Sequence, residues 1–134
     1  FITAFYGIYN RETKSILYSN AGHYSPYIIT MSETTTLPDK KTIPLAMSTT
    51  EKYPHENVEV TLQPNSKLLF YTDGLLDVKN ENGIFFEEHI NSLFAQNNQL
   101  DSKALIDTLH QELINFKGSE NNFIDDICLI CIDV

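Results

Sequence analysis

With 134 residues, of which 42% are hydrophobic, the chain can form one compact domain around a sizeable core, and its 8 phenylalanines and 7 tyrosines exclude a disordered tail. Its 18 acidic and 9 basic residues give a net charge of −9, which excludes a general nucleic-acid-binding surface because such a field repels the phosphate backbone. The sequence has no apolar run of the roughly 20 residues that span a bilayer, so we expect no membrane segment in it.

The first third of the sequence is typical of β-strands. Residues 2–9 carry aromatic and β-branched side chains on both alternating sets, which predicts a strand covered on both faces. A polar turn at residues 10–14 leads into a second strand at residues 15–20, so the two strands form a predicted hairpin. Residues 21–23 end this strand, and residues 26–31 predict a third, short one.

The middle of the chain combines a long loop with two more strands. Residues 32–56 are polar, rich in threonine and interrupted by prolines, and they predict a loop. Residues 57–62 alternate between apolar and polar side chains, which is typical of a strand with one buried face. After a turn at residues 63–66, residues 67–72 predict a hydrophobic strand that ends at an Asp-Gly pair.

Two helices and a last strand complete the predicted order. Apolar residues recur at helical spacing in residues 85–96. Asp101 is the expected N-cap of a second helix, and Gly118 is expected to end it. The buried face of this helix is predicted at Leu105, Leu109, Leu113 and Phe116. A loop at residues 119–123 leads to the last strand, and the whole order indicates an α+β fold built in layers.

The two cysteines, Cys128 and Cys131, form a Cys-x-x-Cys motif, for which a redox or a zinc site is one interpretation. Such a site needs a helix N-terminus or a second pair of ligands, whereas this motif lies in the apolar run of residues 127–132. On a strand, a spacing of three points the thiols to opposite faces. We therefore favour two reduced cysteines in a buried strand, which fits a cytosolic protein.

Two acidic residues, Asp73 and Asp125, each lie where an apolar strand meets a turn. If the fold brings these strand ends together, a hard divalent cation such as Mg²⁺ or Mn²⁺ relieves the repulsion between the carboxylates, because it favours oxygen ligands. A pair of such ions can activate water for attack at phosphorus. The competing interpretations are that Asp-Gly is an ordinary turn and that the Asp-Asp pair is a solvated strand edge. Spacing alone leaves both open.

Five motifs occur in an order that is characteristic of one protein family. They are Phe1-Ile2-Thr3-Ala4-Phe5-Tyr6-Gly7, Asn20-Ala21-Gly22-His23, Leu69-Phe70-Tyr71-Thr72-Asp73-Gly74, Phe85-Phe86 and Asp125-Asp126-Ile127. With these motifs the sequence resembles the bacterial SpoIIE/RsbU-type branch of the PPM (type-2C) protein phosphatases. The resemblance runs over residues 1–134, which correspond to the C-terminal portion of the SpoIIE-type catalytic domain.

The resemblance implies an antiparallel β-sandwich flanked by helices, present here as a partial domain. It also implies two Mn²⁺ or Mg²⁺ ions at one end of the complete domain. Asp73 and Asp125 match metal-ligating aspartates of the family. In this family a metal-bridging water attacks the phosphorus of phosphoserine or phosphothreonine, without a phosphoenzyme intermediate.

Four further residues are expected near this centre. Asp126 matches a position that supports the neighbouring ligand, and Gly74 completes the Thr-Asp-Gly motif. Asn20 is expected to hold the turn that precedes His23. His23 itself has two interpretations, a catalytic residue that orients water or contacts phosphate, and a turn histidine bonded to nearby backbone.

The sequence departs from the family pattern at one decisive place. The family's first metal aspartate, in an Asp-x-x-Gly-His-Gly motif upstream of the strand at Phe1, has no counterpart in these 134 residues. Because that aspartate bridges both ions, we expect the chain alone to be inactive or nearly so. The absent strands would also leave a hydrophobic face open, so we expect self-association if the chain folds alone. A smaller departure is Ala46, where glycine is common.

Three functions of different classes are compatible with the sequence. The first is a metal-dependent phosphoprotein serine/threonine phosphatase of the cytoplasm, and the sequence leaves open whether the parent protein is tethered to a membrane. In relatives its substrate is typically a phosphorylated anti-anti-sigma (STAS-type) protein. The second is a catalytically dead phosphatase-like module that binds a partner protein, and the third is an acidic metal-buffering or structural domain. Presence of the Asp-x-x-Gly-His-Gly motif upstream favours the first, and its loss favours the second.

Overall fold

The computed structural model describes residues 1–40, 42–47, 54–118 and 123–134, so that parts of the predicted loops at 32–56 and 119–123 lie outside the described residues. The described ranges form seven strands, two α-helices and one short 3₁₀-helix. In chain order these are β1 (Ala4–Asn10), β2 (Ser15–Ala21), β3 (Tyr27–Ile29), β4 (Thr34–Thr36), β5 (Val58–Thr61), β6 (Lys67–Tyr71), the 3₁₀-helix (Asp73–Leu75), α1 (Glu87–Asn97), α2 (Ser102–Lys117) and β7 (Leu129–Asp133).

The strands pair antiparallel in two sheets. The first sheet has the order β1-β2-β5, and the second has the order β4-β3-β6-β7. The predicted hairpin of the first two strands is confirmed, and its register places Ile8 opposite Leu17. In the second sheet, Leu69 of the central strand β6 lies between Tyr27 and Cys131.

The two sheets pack face to face around a hydrophobic core. Ile16 and Tyr18 of the first sheet are 3% exposed, and Leu68 of the second is 2% exposed. Across the interface, Phe5 of β1 meets Phe70 of β6 edge to face, with ring centroids 5.1 Å apart. Since side chains alternate along a strand, the neighbours of these residues point to the outer faces of the sandwich.

The two helices cover the outer face of the second sheet. Leu69 of β6, Phe94 of α1 and Leu109 of α2 are fully buried in this second core. Burial of each such side chain contributes about 1.5–3 kcal/mol. The molecule is therefore layered as sheet, sheet and helices, and the predicted α+β fold, an antiparallel sandwich flanked by helices, is confirmed.

The ends of α2 agree with the sequence prediction. The Asp101 carboxylate accepts a hydrogen bond of 2.7 Å from the N–H of Ala104, and Gly118 adopts a left-handed φ of 79°. The three predicted leucines are buried, and Phe116 is half-buried. Neither α-helix in the described ranges combines the length and the hydropathy needed to cross a membrane.

Strand β1 differs from its prediction. The sequence predicts cover on both faces, but Tyr6 is 71% exposed and Ile8 is 59% exposed, so that prediction is wrong. Phe5 and Tyr9, on the alternate set, do pack into the core between the sheets. The described residues place both helices on the second sheet, and the outer face of the first sheet is therefore left to solvent.

A short strand interrupts the predicted loop at residues 32–56. Strand β4 pairs with β3, with Thr34 opposite Ile29, and Leu37 just after it is 1% exposed. Threonine is β-branched and favours extended backbone, so these residues pair even though the surrounding composition is polar. The loop prediction is wrong for residues 34–36.

The prediction of two buried cysteines is wrong in part. Strand β7 begins at Leu129, so that Cys128 precedes the strand and is exposed. Cys131 lies within the strand and is half-buried against the helix-covered core. The physical reason is that β7 forms an edge of the second sheet, where fewer neighbours cover each residue. Both thiols are free.

Candidate functional site

Thr72 links the two acidic segments. Its N–H donates to the carbonyl oxygen of Cys128 at 3.2 Å, and its hydroxyl oxygen accepts from the N–H of Cys128 at 3.0 Å. The same hydroxyl donates to the carbonyl oxygen of Asp126 at 3.0 Å. These bonds hold the end of β6 beside the residues that precede β7. The segments that carry Asp73 and Asp125, far apart in the sequence, are therefore neighbours.

Gly74 allows these two segments to approach each other closely. A Cβ atom at this position would lie 2.6 Å from the carbonyl oxygen of Asp126 and 3.3 Å from the side chain of Ile127. The first distance is well below van der Waals contact, and the obstacle is backbone that cannot rotate away. The position next to Asp73 therefore excludes any side chain, which gives the glycine of the Thr-Asp-Gly motif a physical role.

The two candidate metal ligands expose their carboxylates. One oxygen of Asp73 accepts a hydrogen bond from the N–H of Gly74 at 3.2 Å, and one oxygen of Asp125 accepts from the N–H of Asp126 at 2.8 Å. Both residues are exposed to solvent. An ionised carboxylate has about four acceptor sites, so each retains capacity for a cation.

The donor atoms fit Mn²⁺ or Mg²⁺ in kind but are few in number. Carboxylate oxygens are the ligands that these ions prefer. Within the part of the chain that the structure describes, however, no group of three or more His, Cys, Asp or Glu side chains is placed to hold a metal ion. That Asp73 and Asp125 alone bind a cation weakly stays a prediction.

Asp126 contributes to the site through its main chain. Its carbonyl oxygen accepts from the hydroxyl of Thr72, and its N–H donates to the carboxylate of Asp125. Its own side chain is exposed. The support that the sequence assigns to Asp126 is therefore available from backbone atoms, and a role for its carboxylate stays a prediction.

Asn20 fixes the turn that precedes His23. It is 4% exposed, its side-chain amide donates to the carbonyl oxygen of His23 at 2.8 Å, and its side-chain oxygen accepts from the N–H of His23 at 2.9 Å. The His23 ring lies within hydrogen-bond distance of the Thr3 hydroxyl, 3.2 Å from Nδ1. The structure thus places Asn20 where it holds the turn, and the catalytic role of His23 stays a prediction.

Tyr24 places this turn at the same end of the molecule as Asp73. Burial raises the pKa of Tyr24, and the negative charges of nearby carboxylates raise it further. These carboxylates are Asp73, Asp77 and Glu87. The ring of Tyr24 lies 5.8 Å from the ring of Tyr71, the last residue of β6, which precedes Asp73 by two positions. His23, the preceding residue, is therefore near the same end.

Sequence reasoning missed Thr72 and the tyrosines behind the site. Thr72 lies inside a quoted motif, but bonds from a threonine hydroxyl to distant backbone leave no mark in residue spacing. Tyr71 stacks on Tyr27 with ring centroids 5.0 Å apart, and burial, followed by the effect of Tyr27, raises the pKa of Tyr71. Tyr24 directly follows His23, and that position is the signal that would have identified it.

A family model described as stage II sporulation protein E (SpoIIE) matches residues 1–134. The chain belongs to the SpoIIE family. This is a family of PP2C-type serine/threonine phosphatases, and the resemblance to its SpoIIE/RsbU branch is confirmed. A search of curated proteins found no match.

Several solved structures of PP2C-type domains resemble this SpoIIE-family chain. The phosphatase domain of the cell-fate determinant SpoIIE from Bacillus subtilis, presoaked with manganese, has a TM-score of 0.69 at 16% identity. The SiaA PP2C domain of Pseudomonas aeruginosa has a TM-score of 0.75 at 20% identity. The RsbU and RsbW domains of Rv1364c from Mycobacterium tuberculosis have a TM-score of 0.71 at 21% identity. At these identities the similarity shows the fold.

The matches cover nearly all of this chain but only part of each relative. For SpoIIE they cover 98% of this chain and 56% of the relative, for SiaA 93% and 48%, and for Rv1364c 96% and 35%. The SpoIIE-family chain thus spans somewhat more than half of the solved SpoIIE chain, about half of the SiaA chain and about a third of the Rv1364c chain. This coverage is consistent with a partial catalytic domain.

Proposed function

We propose that this chain forms part of a metal-dependent phosphoprotein phosphatase that hydrolyses phosphoserine or phosphothreonine on a regulatory protein. The observation that supports this most directly is the link through Thr72 and the close approach at Gly74. Together they bring the segments of Asp73 and Asp125 side by side at one end of the sandwich. Membership of the SpoIIE family supplies the reaction class.

Asp73 and Asp125 are the residues that would hold Mn²⁺ or Mg²⁺, of which the complete domain has two. When bound, such ions supply a Lewis acid and offset the negative charge of a phosphate ester. The chain's own contribution is to present two exposed carboxylates, each already oriented by one backbone N–H. A manganese-soaked relative with the same fold supports this choice of ion.

His23 is proposed to orient water or the phosphate group. Its main chain is held by Asn20, and its Nδ1 lies 3.2 Å from the Thr3 hydroxyl, so that Nε2 is the atom left to meet the substrate. Asn20 is buried, and both of its polar side-chain atoms form hydrogen bonds. The backbone that carries the His23 ring is therefore held in place.

The proposed substrate is a phosphorylated protein of the anti-anti-sigma (STAS) type, and the proposed location is the cytoplasm.

The two carboxylates do not make up a complete metal centre within the described residues. We therefore propose that the chain has little activity until the Asp-x-x-Gly-His-Gly motif accompanies it. That same shortage favours a second candidate function, a catalytically dead phosphatase-like module that binds a partner protein. The uncovered face of the first sheet is proposed to mediate self-association of the isolated chain.

The test is manganese binding and phosphatase activity of the parent protein, whose sequence also shows whether the Asp-x-x-Gly-His-Gly motif is present. Asp73→Asn and Asp125→Asn should each weaken Mn²⁺ binding in calorimetry by at least about tenfold, since even outer residues of metal sites cost 10–100-fold. Asp107→Asn is the matched control, because Asp107 is an exposed aspartate on α2 that pairs with Lys103.

Hydrolysis of a phosphoserine peptide should fall with the same two variants and survive in the control. Unchanged Mn²⁺ affinity in Asp73→Asn and Asp125→Asn would contradict the metal assignment. Normal metal binding without any hydrolysis by the parent protein would instead favour the partner-binding module.

A further inference from the structure

A cavity of about 380 Å³ adjoins the candidate metal ligands. Gly74 and Asp125 belong to its lining, so that the cavity is continuous with the site described above, and Asp77 lines it as well. Lys79 and Phe85 line it from the segment between the 3₁₀-helix and α1, and Lys117 lines it from the last turn of α2. We call this cavity the lysine cleft.

The wall that carries Lys79 is a tight hairpin. Lys79 and Phe85 form an antiparallel bridge, and the side-chain oxygen of Asn80 accepts from the N–H groups of Asn82 at 2.9 Å and Ile84 at 3.0 Å. The Lys79 ammonium lies 4.3 Å from the centroid of the Phe85 ring, a cation–π contact. The contact places the positive charge beside the wall of the cleft.

The two lysines keep their charge available in a strongly acidic chain. Lys40 and Lys103 each pair with a carboxylate, and the buried Lys67 donates to a backbone carbonyl oxygen at 2.8 Å. Among the described carboxylates, none lies within ion-pair distance of Lys79 or Lys117. Asp77 and Asp125 line the same cavity, so the lysines outnumber the carboxylates there when a cation offsets the charge of Asp125. In that state the lysine cleft keeps positive charge that can meet an anion.

The cleft also exposes apolar side chains beside Asp125. Ile124 is 87% exposed and Phe85 is 37% exposed, and Phe123 between α2 and Asp125 is half-buried. Exposed apolar groups grouped around a concave site are typical of a surface that contacts another molecule. The lysine cleft therefore combines positive charge with apolar contact area.

We propose that the lysine cleft receives the part of the substrate protein that flanks its phosphorylated residue, and that this part carries an acidic side chain next to an apolar one. The proposal rests on the proposed function, because it assumes that the phosphate itself lies at Asp73 and Asp125. Lys79 and Lys117 attract the acidic side chain, and Phe85 and Ile124 contact the apolar one. All four are positioning residues that leave the chemical step to others.

Binding of peptides that lack the phosphate tests this directly. The parent protein is mixed, in the presence of manganese, with fluorescent serine peptides that have acidic or neutral flanking residues. Lys79→Ala and Lys117→Ala should each weaken binding of the acidic peptide by about two- to fivefold, as expected for exposed charge pairs. The matched control Lys103→Ala, on the same helix as Lys117, should leave it unchanged. The neutral peptide should respond to none of them.

Kinetics separate the flanking contact from contact with phosphate. With manganese present, the two lysine variants should raise KM for the acidic phosphopeptide and leave hydrolysis of p-nitrophenyl phosphate unchanged. An equal loss on both substrates, or equal binding of acidic and neutral peptides, would overturn the proposal. If the parent protein hydrolyses nothing while lysine-dependent binding of the acidic peptide persists, the proposed phosphatase function fails and the lysine cleft is supported.

Discussion

Strands β1 and β6 both carry apolar and aromatic residues on their two alternating sets, but their surroundings differ. In β6, the successive residues Leu68 and Leu69 point to opposite faces and are 2% and 0% exposed, because one meets the first sheet and the other meets the helices. In β1, Phe5 packs between the sheets, but its neighbour Tyr6 is 71% exposed. The difference in exposure therefore follows from the layers that cover each strand.

The comparison separates two kinds of apolar side chain. The buried ones of the second sheet, such as Leu68 and Leu69, already contribute their burial to the stability of the chain. The apolar side chains on the outer face of the first sheet contribute little to stability until another layer covers them. They are Tyr6, Ile8 and Leu17, which are 71%, 59% and 42% exposed. These three side chains form an apolar surface that is available for contact with another molecule.

The largest expected effect comes from the same substitution made in both sheets. Leu69→Ala removes a fully buried side chain from the centre of the second sheet and should lower the free energy of unfolding by about 2–5 kcal/mol. Leu17→Ala, the matched change on the outer face of the first sheet, should lower it by less than about 1 kcal/mol. Urea unfolding followed by circular dichroism measures both. Similar losses would mean that the face of the first sheet is covered after all.

The second prediction concerns the end of β6, where the well-covered sheet positions the acidic segments. Gly74→Ala should lower the free energy of unfolding by about 1–3 kcal/mol, because the added Cβ meets the Asp126 carbonyl oxygen at 2.6 Å. It should also weaken Mn²⁺ binding in calorimetry of the parent protein, since Asp73 and Asp125 are pushed apart.

Gly83→Ala is the control for the loss of a glycine. Gly83 has a left-handed φ of 78°, so alanine there is strained by roughly 1 kcal/mol, but nothing lies within 4 Å of the added Cβ. Manganese affinity should not change in this variant. If Gly74→Ala and Gly83→Ala behave alike, the close approach at Gly74 has no role in positioning the ligands.

The third prediction uses the open face itself. The isolated chain should self-associate through the outer face of the first sheet, and Ile8→Lys should weaken that association about tenfold or more, because an isoleucine that is 59% exposed becomes a charge. Sedimentation velocity over a range of concentrations measures the effect. Met31→Lys, at a residue that is 64% exposed after β3, is the control for added charge. A wild-type chain that stays monomeric at high concentration contradicts the prediction.

Much of the fold could be predicted because its signals are local. The N-cap Asp101, the terminating Gly118 and the helical spacing of the leucines in α2 all act within a few residues of one another, and they were confirmed. The cover on β1 could not be predicted in the same way. Alternating apolar residues show that two faces can be buried, but they do not show whether the chain supplies a layer for each.

The candidate site also combines features that the sequence predicts with features that it does not. The resemblance predicts Asp73 and Asp125 as ligands, but the proximity of their segments depends on bonds from Thr72 to residues far along the chain, which no spacing encodes. Ala46 shows the opposite case. The sequence comparison expects glycine at this position, and the structure gives Ala46 a φ of 64°, the left-handed region that glycine adopts most easily.

The smallest expected effect lies at β7, the edge of the second sheet, where the side chains are only partly shielded from solvent. Burial, with a further contribution from Asp133, raises the pKa of Cys131 from its ordinary value of 9.0 to about 11, whereas Cys128 is exposed just before the strand. A rise of two pKa units leaves about a hundredfold less thiolate at pH 8, and the greater nucleophilicity of a more basic thiolate recovers about tenfold of that. Iodoacetamide should therefore alkylate Cys128 at least about tenfold faster, as measured by mass spectrometry of peptides.

The pH dependence of Cys131 gives the sign of its contribution to stability. Below pH 9 the thiol keeps its proton in both the folded and the unfolded chain, so it adds no pH dependence. Between pH 9 and 11 the unfolded chain loses this proton while the folded chain keeps it, so stability falls as the pH rises. Cys131→Ser should remove that part of the slope, and Cys128→Ser is the matched control that should keep it. Equal alkylation rates of the two cysteines in the folded chain would mean that the helices do not shield this edge of the second sheet.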